Sequence, residues 1–372
     1  MKEPHTLLAL GDIGPRRVDP NTIFDLVSNT LRDADLVFGQ LEPCLTQRGT
    51  PSPQARLAMR ADPGVAQAIN AAGIDVLSWA SNHCLDWGRD GFTDTLKSLS
   101  QQNISVVGAG ENIGAARQCV IKQLGSTRIA FLAYCSILPQ DYWATEDRPG
   151  CAPMRAFTVN EQIEHDQPGT PRRQHTFAHR QDLQALINDV EQVKKQAEIV
   201  VVSCHWGLHF VPAALADYQR QVAHAAINAG ANIIVGHHPH VLKGIEVYRG
   251  AVIFYSLGNF AIESPAAFKA GLEDSDSFRE IKSLNANWIK KDKLLLPEDS
   301  LKTGVAKIEI GDGGIARVGF VPCYINDDAQ PQILQPSDNQ FTAVADYLDE
   351  ITARVGLNTQ FTLEENILWI SV

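Results

Sequence analysis

Short apolar runs that alternate with helix-patterned segments constrain the fold of this 372-residue chain more than any other feature. Between the first two runs, Asp19 and Pro20 supply a helix start, and apolar residues then recur at helical spacing up to residue 31. The repeated order of strand and helix predicts an α/β fold. The apolar runs lie at residues 6–10, 34–38, 74–79, 104–107, 128–134, 199–202, 232–235 and 251–255.

Six of these runs lead into side chains that bind metal ions or transfer protons. In open α/β sheets the functional crevice lies just beyond the carboxyl ends of the strands, because side chains that leave several strands converge there. The repeated placement therefore predicts one shared site. Its candidate residues are Asp12, Glu42, Asn82 with His83, His205, the group His237, His238 and His240, and Asn259.

Imidazoles and carboxylates together form a mixed nitrogen and oxygen ligand set. Such a set suits Zn, Mn, Fe or Ni and needs no thiolate. Singly, the residues have structural alternatives, since Asp12 and Glu42 also fit helix caps and Asn82 fits a turn. Three imidazoles within residues 236–240 have few packing explanations. We therefore expect a divalent-metal centre that holds Mn, Zn or Fe.

The length of the chain permits either one large core with insertions or two domains. Periodicity is lost at residues 139–180 and 263–300, which we expect to be excursions over the site, the second of them partly helical. Residues 305–321 predict a hairpin at a sheet edge. We expect residues 1–330 to form one domain and residues 331–372 to pack on it as a C-terminal segment.

Composition excludes some classes of function. The formal net charge of −11 argues against a nucleic-acid partner, because binding to a phosphate backbone needs clustered cations. Seven scattered cysteines predict free thiols in a reducing compartment. The first apolar run is too short for a signal-peptide core or a membrane span. We therefore expect a cytoplasmic protein without a membrane partner, and its oligomeric state stays open.

An ordered set of motifs resembles the CapA family, which is linked to poly-γ-glutamate capsule synthesis and is itself similar to the calcineurin-like metallophosphoesterases. The resemblance covers roughly residues 6–262, and the order of the motifs makes it specific. The motifs are Gly11-Asp12, Gly39-Gln40-Leu41-Glu42, Ser81-Asn82-His83-Cys84-Leu85-Asp86-Trp87-Gly88, His205-Trp206-Gly207, Gly236-His237-His238-Pro239-His240-Val241 and Tyr255-Ser256-Leu257-Gly258-Asn259-Phe260.

The resemblance implies a four-layer fold, in which two mixed β-sheets pack face to face with helices outside. It also implies a centre of one or two metal ions. The chain departs from the phosphoesterase pattern at three positions. Gly14 stands where the first motif usually has a His, Glu42 stands where a bridging Asp is common, and Gln40 replaces an Asn of the CapA pattern. These departures weaken the case for ordinary phosphatase activity.

The leading hypothesis is a CapA-family enzyme that acts on a peptide, a poly-γ-glutamate-like chain or another small anionic substrate. The reaction is either hydrolysis or metal-assisted removal of an α-proton, as in a peptide epimerase. The alternatives are a phosphomonoesterase or phosphodiesterase and a non-catalytic assembly factor for a capsule polymer. We assign the residues as follows: Asp12, Glu42, Asn82, His83, His205, His238 and His240 as metal ligands, His205 or His237 as acid or base, and Asp86, Trp87, His209 and Asn259 as substrate-side residues.

Arginines of the first excursion are candidates for recognising a substrate carboxylate, because guanidinium and carboxylate groups pair through two hydrogen bonds. The structural alternative is a solvated loop charge. Replacing Arg172 and Arg173 with Ala is expected to raise KM for an acidic peptide. The other two candidates are Arg148 and Arg155.

Overall fold

The computed structural model describes residues 4–264, 275–285 and 287–372. Helices alternate with strands through the first two-thirds of the chain, as the apolar pattern predicts. The helices are α1 Ser28–Arg32, α2 Val65–Ala71, α3 Gly88–Gln101, α4 Ile113–Ala116, α5 Arg180–Lys194, α6 Asp217–Ala229, α7 Asp276–Leu284 and α8 Asn339–Arg354, with 3₁₀ turns at Pro20–Phe24 and Glu298–Leu301.

Most of the strands belong to two large sheets, and the remainder form short two-stranded pairs. The strands are β1 His5–Gly14, β2 Leu36–Leu41, β3 Cys44–Leu45, β4 Arg60–Ala61, β5 Val76–Ser78, β6 Ser105–Val107, β7 Ala109–Gly110, β8 Val120–Leu124, β9 Thr127–Cys135, β10 Gly150–Cys151, β11 Ala156–Gln162, β12 Arg172–Ala178, β13 Ile199–His205, β14 Ile233–His237, β15 Ile245–Tyr248, β16 Ala251–Phe254, β17 Asn259–Ile262, β18 Trp288–Lys290, β19 Leu295–Pro297, β20 Lys302–Gly311, β21 Gly314–Ile325, β22 Pro331–Ile333, β23 Phe361–Glu364 and β24 Ile367–Ile370.

The first sheet is mixed, with the order β23-β24-β21-β20-β1-β2-β5-β6. Strand β1 lies parallel to β2 and antiparallel to β20, and β17 adds to β1 in parallel beyond that path. Strands β20 and β21 form the hairpin predicted for residues 305–321. Strand β24 of the C-terminal segment pairs with β21, and α8 packs on the same strand.

The second sheet has the order β15-β16-β14-β13-β9-β8. Its four inner strands are parallel, and β8 and β15 close the two edges in antiparallel pairs. Parallel strands that are covered on both faces need continuous apolar sequences. This explains the run of β-branched residues in β13.

Alternate residues of β13 face two different apolar cores. Val201 contributes to a core shared with the first sheet, whereas Val200 and Val202 contribute to a core shared with helices α5 and α6. Across the shared core, the ring of Phe38 from β2 stacks on that of Phe131 from β9 at 5.3 Å. The two sheets therefore pack face to face with helices outside, which confirms the predicted four-layer fold.

Three segments differ from the local expectations. The helix expected from residue 19 onward is a 3₁₀ turn followed by the short α1. Residues 139–180 hold β10 and an exposed hairpin of β11 and β12, which packs against α6 through a hydrogen bond from Thr176 N to Asp217 Oδ2. The segment 263–300 contains α7, β18 and β19, while residues 265–274 and 286 lie outside the described residues.

Among the described helices, none has the length and apolar character needed to cross a membrane.

Candidate metal centre

The carboxyl ends of strands from both sheets meet at one place. Asp12 of β1 is the register partner of Asn259 in β17, and His205 of β13 is the register partner of His237 in β14. Glu42 follows directly after β2 and is buried. The sheet edge thus brings together the residues that the sequence placed at separate strand ends.

A close approach of two glycines makes this convergence possible. A Cβ atom on Gly11 would lie 2.2 Å from the carbonyl oxygen of Gly258. The amide of the neighbouring Asp12 donates a hydrogen bond of 3.0 Å to that same oxygen. A side chain at Gly11 would therefore push β17 away from the strand that carries Asp12.

The turn that carries the three clustered histidines is conformationally unusual. His238 has φ of 90° and His240 has φ of 54°, both in the left-handed region that non-glycine residues rarely adopt. Backbone in such regions costs about 1–3 kcal/mol per residue and is most often found at functional sites. The turn places both side chains against the same cavity.

Asp12, Glu42 and His205 form a compact buried cluster. Each offers one ligand atom, and these atoms all lie within 4.8 Å of one another. Their relative exposures are 0%, 1% and 0%. Two carboxylates and an imidazole at this spacing and depth match the chemistry of a divalent-cation site.

The hydrogen bonds of His205 show which of its nitrogens can hold a metal ion. Its Nε2 lies 2.7 Å from Oδ1 of Asn82. With that amide oxygen as acceptor, Nε2 carries the ring hydrogen and Nδ1 presents a lone pair. Nδ1 lies 3.6 Å from Oε1 of Glu42, and neither atom has a hydrogen-bond partner in the described part of the chain. A buried acceptor facing a buried carboxylate oxygen calls for a cation between them.

Asp12 is surrounded by the histidines of the turn. Its Oδ1 lies 3.2 Å from Nδ1 of His237, without the alignment of a hydrogen bond, and its Oδ2 lies 3.1 Å from Nδ1 of His240. The backbone amide of His238 also donates to Oδ2 at 3.3 Å. Burial alone would raise the pKa of Asp12, but the two imidazoles outweigh it and lower that pKa, so the carboxylate is ionised.

Glu42 has the opposite electrostatic environment. Burial first, and the charge of Asp12 second, raise its pKa to about 7. Its Oε2 accepts a hydrogen bond of 3.1 Å from the hydroxyl of Ser81. Without a cation nearby, this carboxylate is therefore held at the edge of protonation at neutral pH.

His83 is held in place by a buried carboxylate. Its Nδ1 lies 2.6 Å from Oδ2 of Asp86, which also accepts the backbone amide of Met59 at 2.7 Å. The hydroxyl of Tyr142 donates to the other oxygen of Asp86 at 3.0 Å. Burial lowers the pKa of His83, but Asp86 and the charge of Glu42 raise it overall. Asp86 thus orients His83 and favours its protonated form.

A cavity of about 500 Å³, counted out to its open mouth, lies against this centre. Histidine and asparagine side chains line one part of it and apolar side chains line the rest. The lining residues are Leu57, Met59, Asn82, His83, His209, His238, His240, Asn259, Ile262, Glu263, Ser264 and Leu296.

Several of the predicted site residues lie on the cavity, and others do not. His237 and His205 are buried behind it, and Asp86 and Trp87 are absent from its lining. Asp86 is 1% exposed and bonded to His83, so it supports that ring instead of contacting a substrate. The interpretation of Asp86 and Trp87 as substrate contacts is therefore not supported by the geometry.

Two histidines on the cavity are kept neutral. Burial first, and the neighbouring imidazoles second, lower the pKa values of His209 and His238 well below the ordinary value. The ring of His209 lies between those of Phe210 and His238, with centroids 3.9 and 4.9 Å away. At neutral pH both rings are therefore in the neutral form, which carries a nitrogen lone pair.

The segments that line the cavity differ in part from the expected ones. The second excursion contributes Glu263, Ser264 and Leu296, but the first contributes nothing to the lining. The position of Leu57 and Met59 in the cavity lining could not be predicted from the sequence, because the segment that holds them shows neither periodicity nor a motif.

The arginines proposed from the first excursion are engaged elsewhere. Arg155 makes a two-pronged contact with Asp182, with Nη2 2.7 Å from Oδ1. Arg148 pairs with Asp141 at 2.7 Å, and Arg173 pairs with Glu161 across the exposed hairpin at 3.2 Å. None of them lines the cavity.

Comparison with known proteins places the chain in a family. The model of the family described as "Bacterial capsule synthesis protein PGA_cap" matches residues 3–264. The chain belongs to this family. The match spans the strand ends that carry the candidate centre, and it confirms the resemblance that the ordered motifs predict.

Two curated relatives from the capsule synthesis family are similar to the chain. PGA biosynthesis protein CapA of Bacillus subtilis (strain 168) is 33% identical over 245 residues, covering 65% of this chain and 57% of the relative. Capsule biosynthesis protein CapA of Bacillus anthracis is 31% identical over 250 residues, covering 66% and 55%. The matched region therefore spans less than two thirds of the length of either relative.

A solved structure is also similar to the chain. The calcineurin-like phosphoesterase YfkN from Bacillus subtilis has a TM-score of 0.45 and 12% sequence identity, covering 95% of this chain and 98% of that one.

Proposed function

We propose that this protein is a metal-dependent hydrolase that cleaves an amide bond of a peptide or poly-γ-glutamate-like chain. The observation that carries the proposal is a pair of buried ligand atoms, Nδ1 of His205 and Oε1 of Glu42, that have no hydrogen-bond partner among the described residues and lie beside the ionised Asp12. Buried polar atoms without partners cost free energy. A cation bound between these two atoms would remove this cost.

The residues at the centre fit a divalent ion. Asp12, Glu42 and His205 would hold it, and Nδ1 of His238 and both nitrogens of His237 are further buried atoms without a hydrogen-bond partner among the described residues. A bound Mn, Zn or Fe ion acts as a Lewis acid that polarises a carbonyl or phosphoryl oxygen.

The side chains around the cavity supply a base and an acid. Burial keeps His209 in the neutral form, which is the form that can act as a base, whereas Asp86 favours the protonated form of His83. Amide hydrolysis needs both functions, because water must lose a proton and the leaving amine must gain one. A base and an acid would equally serve removal and return of an α-proton, so experiment must separate the two reactions.

A direct assay separates the candidate reactions. Protein loaded with Mn²⁺, Zn²⁺ or Fe²⁺ is incubated with γ-linked glutamate oligomers in D₂O, and products are followed by mass spectrometry. We expect shorter oligomers that depend on metal and are lost in His205→Ala. Deuterium uptake at Cα without cleavage would indicate an epimerase, and turnover of p-nitrophenyl phosphate alone would indicate a phosphoesterase. Either result would overturn the proposed reaction.

A further inference from the structure

Two arginines, Arg16 and Arg60, lie next to residues that line the cavity, on different segments of the chain, although neither belongs to the lining itself. Glu263, which lines the cavity, accepts the backbone amides of Arg16 and Arg17 at 2.6 and 2.8 Å. Met59, which also lines it, is followed directly by Arg60. Arg16 and Arg60 are both solvent-exposed. The segments bearing these cations are thus anchored to the wall of the cavity.

The negative charge of Glu263 is already neutralised. Nε and Nη2 of Arg17 both lie 3.1 Å from Oε1 of Glu263, and these two side chains are only 10% and 5% exposed. Arg17 and Glu263 therefore form a nearly buried ion pair. The positive charges of Arg16 and Arg60, which neighbour the lining residues Glu263 and Met59, are not neutralised by this pair.

Neither leftover guanidinium has a carboxylate partner within 4 Å in the described ranges, 4–264, 275–285 and 287–372. The guanidinium of Arg60 lies 3.8 Å from the centre of the Trp87 ring, a contact that orients the group and leaves its hydrogen-bond donors free. Arg128, by contrast, is also exposed and makes a two-pronged pair with Glu198.

The two guanidiniums act on each other. Desolvation first, and the charge of Arg60 in addition, lower the pKa of Arg16, while Glu263 opposes that change. Both groups stay charged, because an arginine loses its proton only far above neutral pH. Two adjacent unmatched cations, in a chain of net charge −11, form a local site of attraction for an anion.

We propose that Arg16 and Arg60 form an anion subsite that binds a carboxylate of the substrate and positions the adjoining bond in the cavity. The substrate class that this subsite fits is an acidic peptide chain with regularly spaced carboxylates. The choice of an amide-bonded chain depends on the proposed function, whereas the anion subsite depends only on the two arginines. The ring of Trp87 supports this subsite by packing against the guanidinium of Arg60.

The test compares a γ-linked glutamate tetramer with a matching γ-linked tetramer in which each free α-carboxylate is replaced by an uncharged carboxamide; this second peptide is called the neutral tetramer. Binding to the Mn²⁺-loaded protein is measured by calorimetry, and KM and kcat are measured where turnover occurs. We expect the acidic tetramer to bind at least about tenfold more tightly than the neutral one. We expect Arg16→Gln and Arg60→Gln each to weaken its binding by about tenfold, with little change in kcat and in binding of the neutral tetramer.

Arg128→Gln is the matched control, because it removes an exposed, ion-paired arginine, and it should leave binding unchanged. Thermal unfolding checks that each variant is folded. Equal binding of the two tetramers, or unchanged binding of the acidic tetramer in both Arg16→Gln and Arg60→Gln, would overturn the proposal of the subsite. Selective binding without turnover would leave the subsite standing and remove the proposed hydrolase function, so the two failures are distinguishable.

Discussion

Nδ1 of His205 and Oε1 of Glu42 face each other at 3.6 Å in a fully buried position, and neither makes a hydrogen bond within the described residues. The Nε2 hydrogen of the same ring is committed to Asn82 at 2.7 Å, which leaves Nδ1 as an acceptor. Two buried acceptors that face each other need a cation or a proton between them. The predictions about the centre follow from this relationship.

Glu42→Gln should stabilise the metal-free protein at pH 8 and abolish its stabilisation by metal. The pKa of Glu42 is raised to about 7, so the folded state holds a proton that the unfolded state releases, and metal-free stability falls as the pH rises from about 4.5 to about 7. A Gln amide carries no such charge and can donate to His205. We expect a gain of about 1–3 kcal/mol in the free energy of unfolding, measured by urea denaturation with and without Mn²⁺. A variant that is less stable than the wild type without metal would contradict this.

Metal affinity should depend on pH through Glu42. Below its pKa of about 7 a metal ion must displace a proton from Glu42, whereas above it the carboxylate is already free. We therefore expect affinity to fall by about tenfold per pH unit below pH 7 and to change little above it, because one proton is exchanged. Calorimetric titration with Mn²⁺ at pH 6, 7 and 8 measures this slope. A constant affinity over that range would show that Glu42 is not a ligand.

Asp86→Asn should lower the pKa of His83 and reduce turnover by about 10–100-fold, because the carboxylate that orients this ring and raises its pKa is lost. The pKa of His83 is read by NMR titration and turnover by the oligomer assay. Tyr142→Phe is the matched comparison. It removes one hydrogen bond to Asp86 but keeps the carboxylate, so a smaller effect is expected. An unchanged His83 pKa in Asp86→Asn would argue against this role.

Gly11→Ala should damage both the fold and the centre. The added Cβ would lie 2.2 Å from the carbonyl oxygen of Gly258. Gly11 lies in β1 and Gly258 directly precedes the paired strand β17, so relieving the clash requires the backbone of these strands to shift. We expect a loss of about 1–3 kcal/mol or more in the free energy of unfolding, together with weaker metal binding. Gly314→Ala is the control, since nothing lies within 4 Å of its added Cβ. Equal thermal stability of the two variants would contradict the argument.

The strand ends of the site could be predicted because their signals are local. Each buried run, such as β13, shows its apolar pattern over a few residues, and the polar residue that follows is visible in the same stretch. The partners of these residues are not local. Asp86 meets Tyr142 from 56 positions away, and Arg17 meets Glu263 from 246 positions away. A single sequence carries no sign of such pairings, so it could not predict the residues that support the site or the arginines beside the cavity.

The exposed hairpin of β11 and β12 was missed for a different reason. Strand β11 begins with alternating apolar and polar residues, as Phe157 and Val159 show, but both of these side chains are exposed, at 52% and 45%. The long connection between the strands is rich in polar residues, Pro and Gly, which resembles an aperiodic loop. The pattern was present, but it marked a surface ribbon and not a buried strand.

Metal content tests the central claim most directly. Wild-type protein, Asp12→Ala, His205→Ala, His238→Ala and the surface control His175→Ala are dialysed against Mn²⁺ or Zn²⁺, and bound metal is counted by elemental analysis. The account predicts at least one ion per chain in the wild type and the control, and a loss of that ion in Asp12→Ala and His205→Ala variants that remain folded. Full metal occupancy in both of those variants, or no bound metal in the wild type, would contradict it.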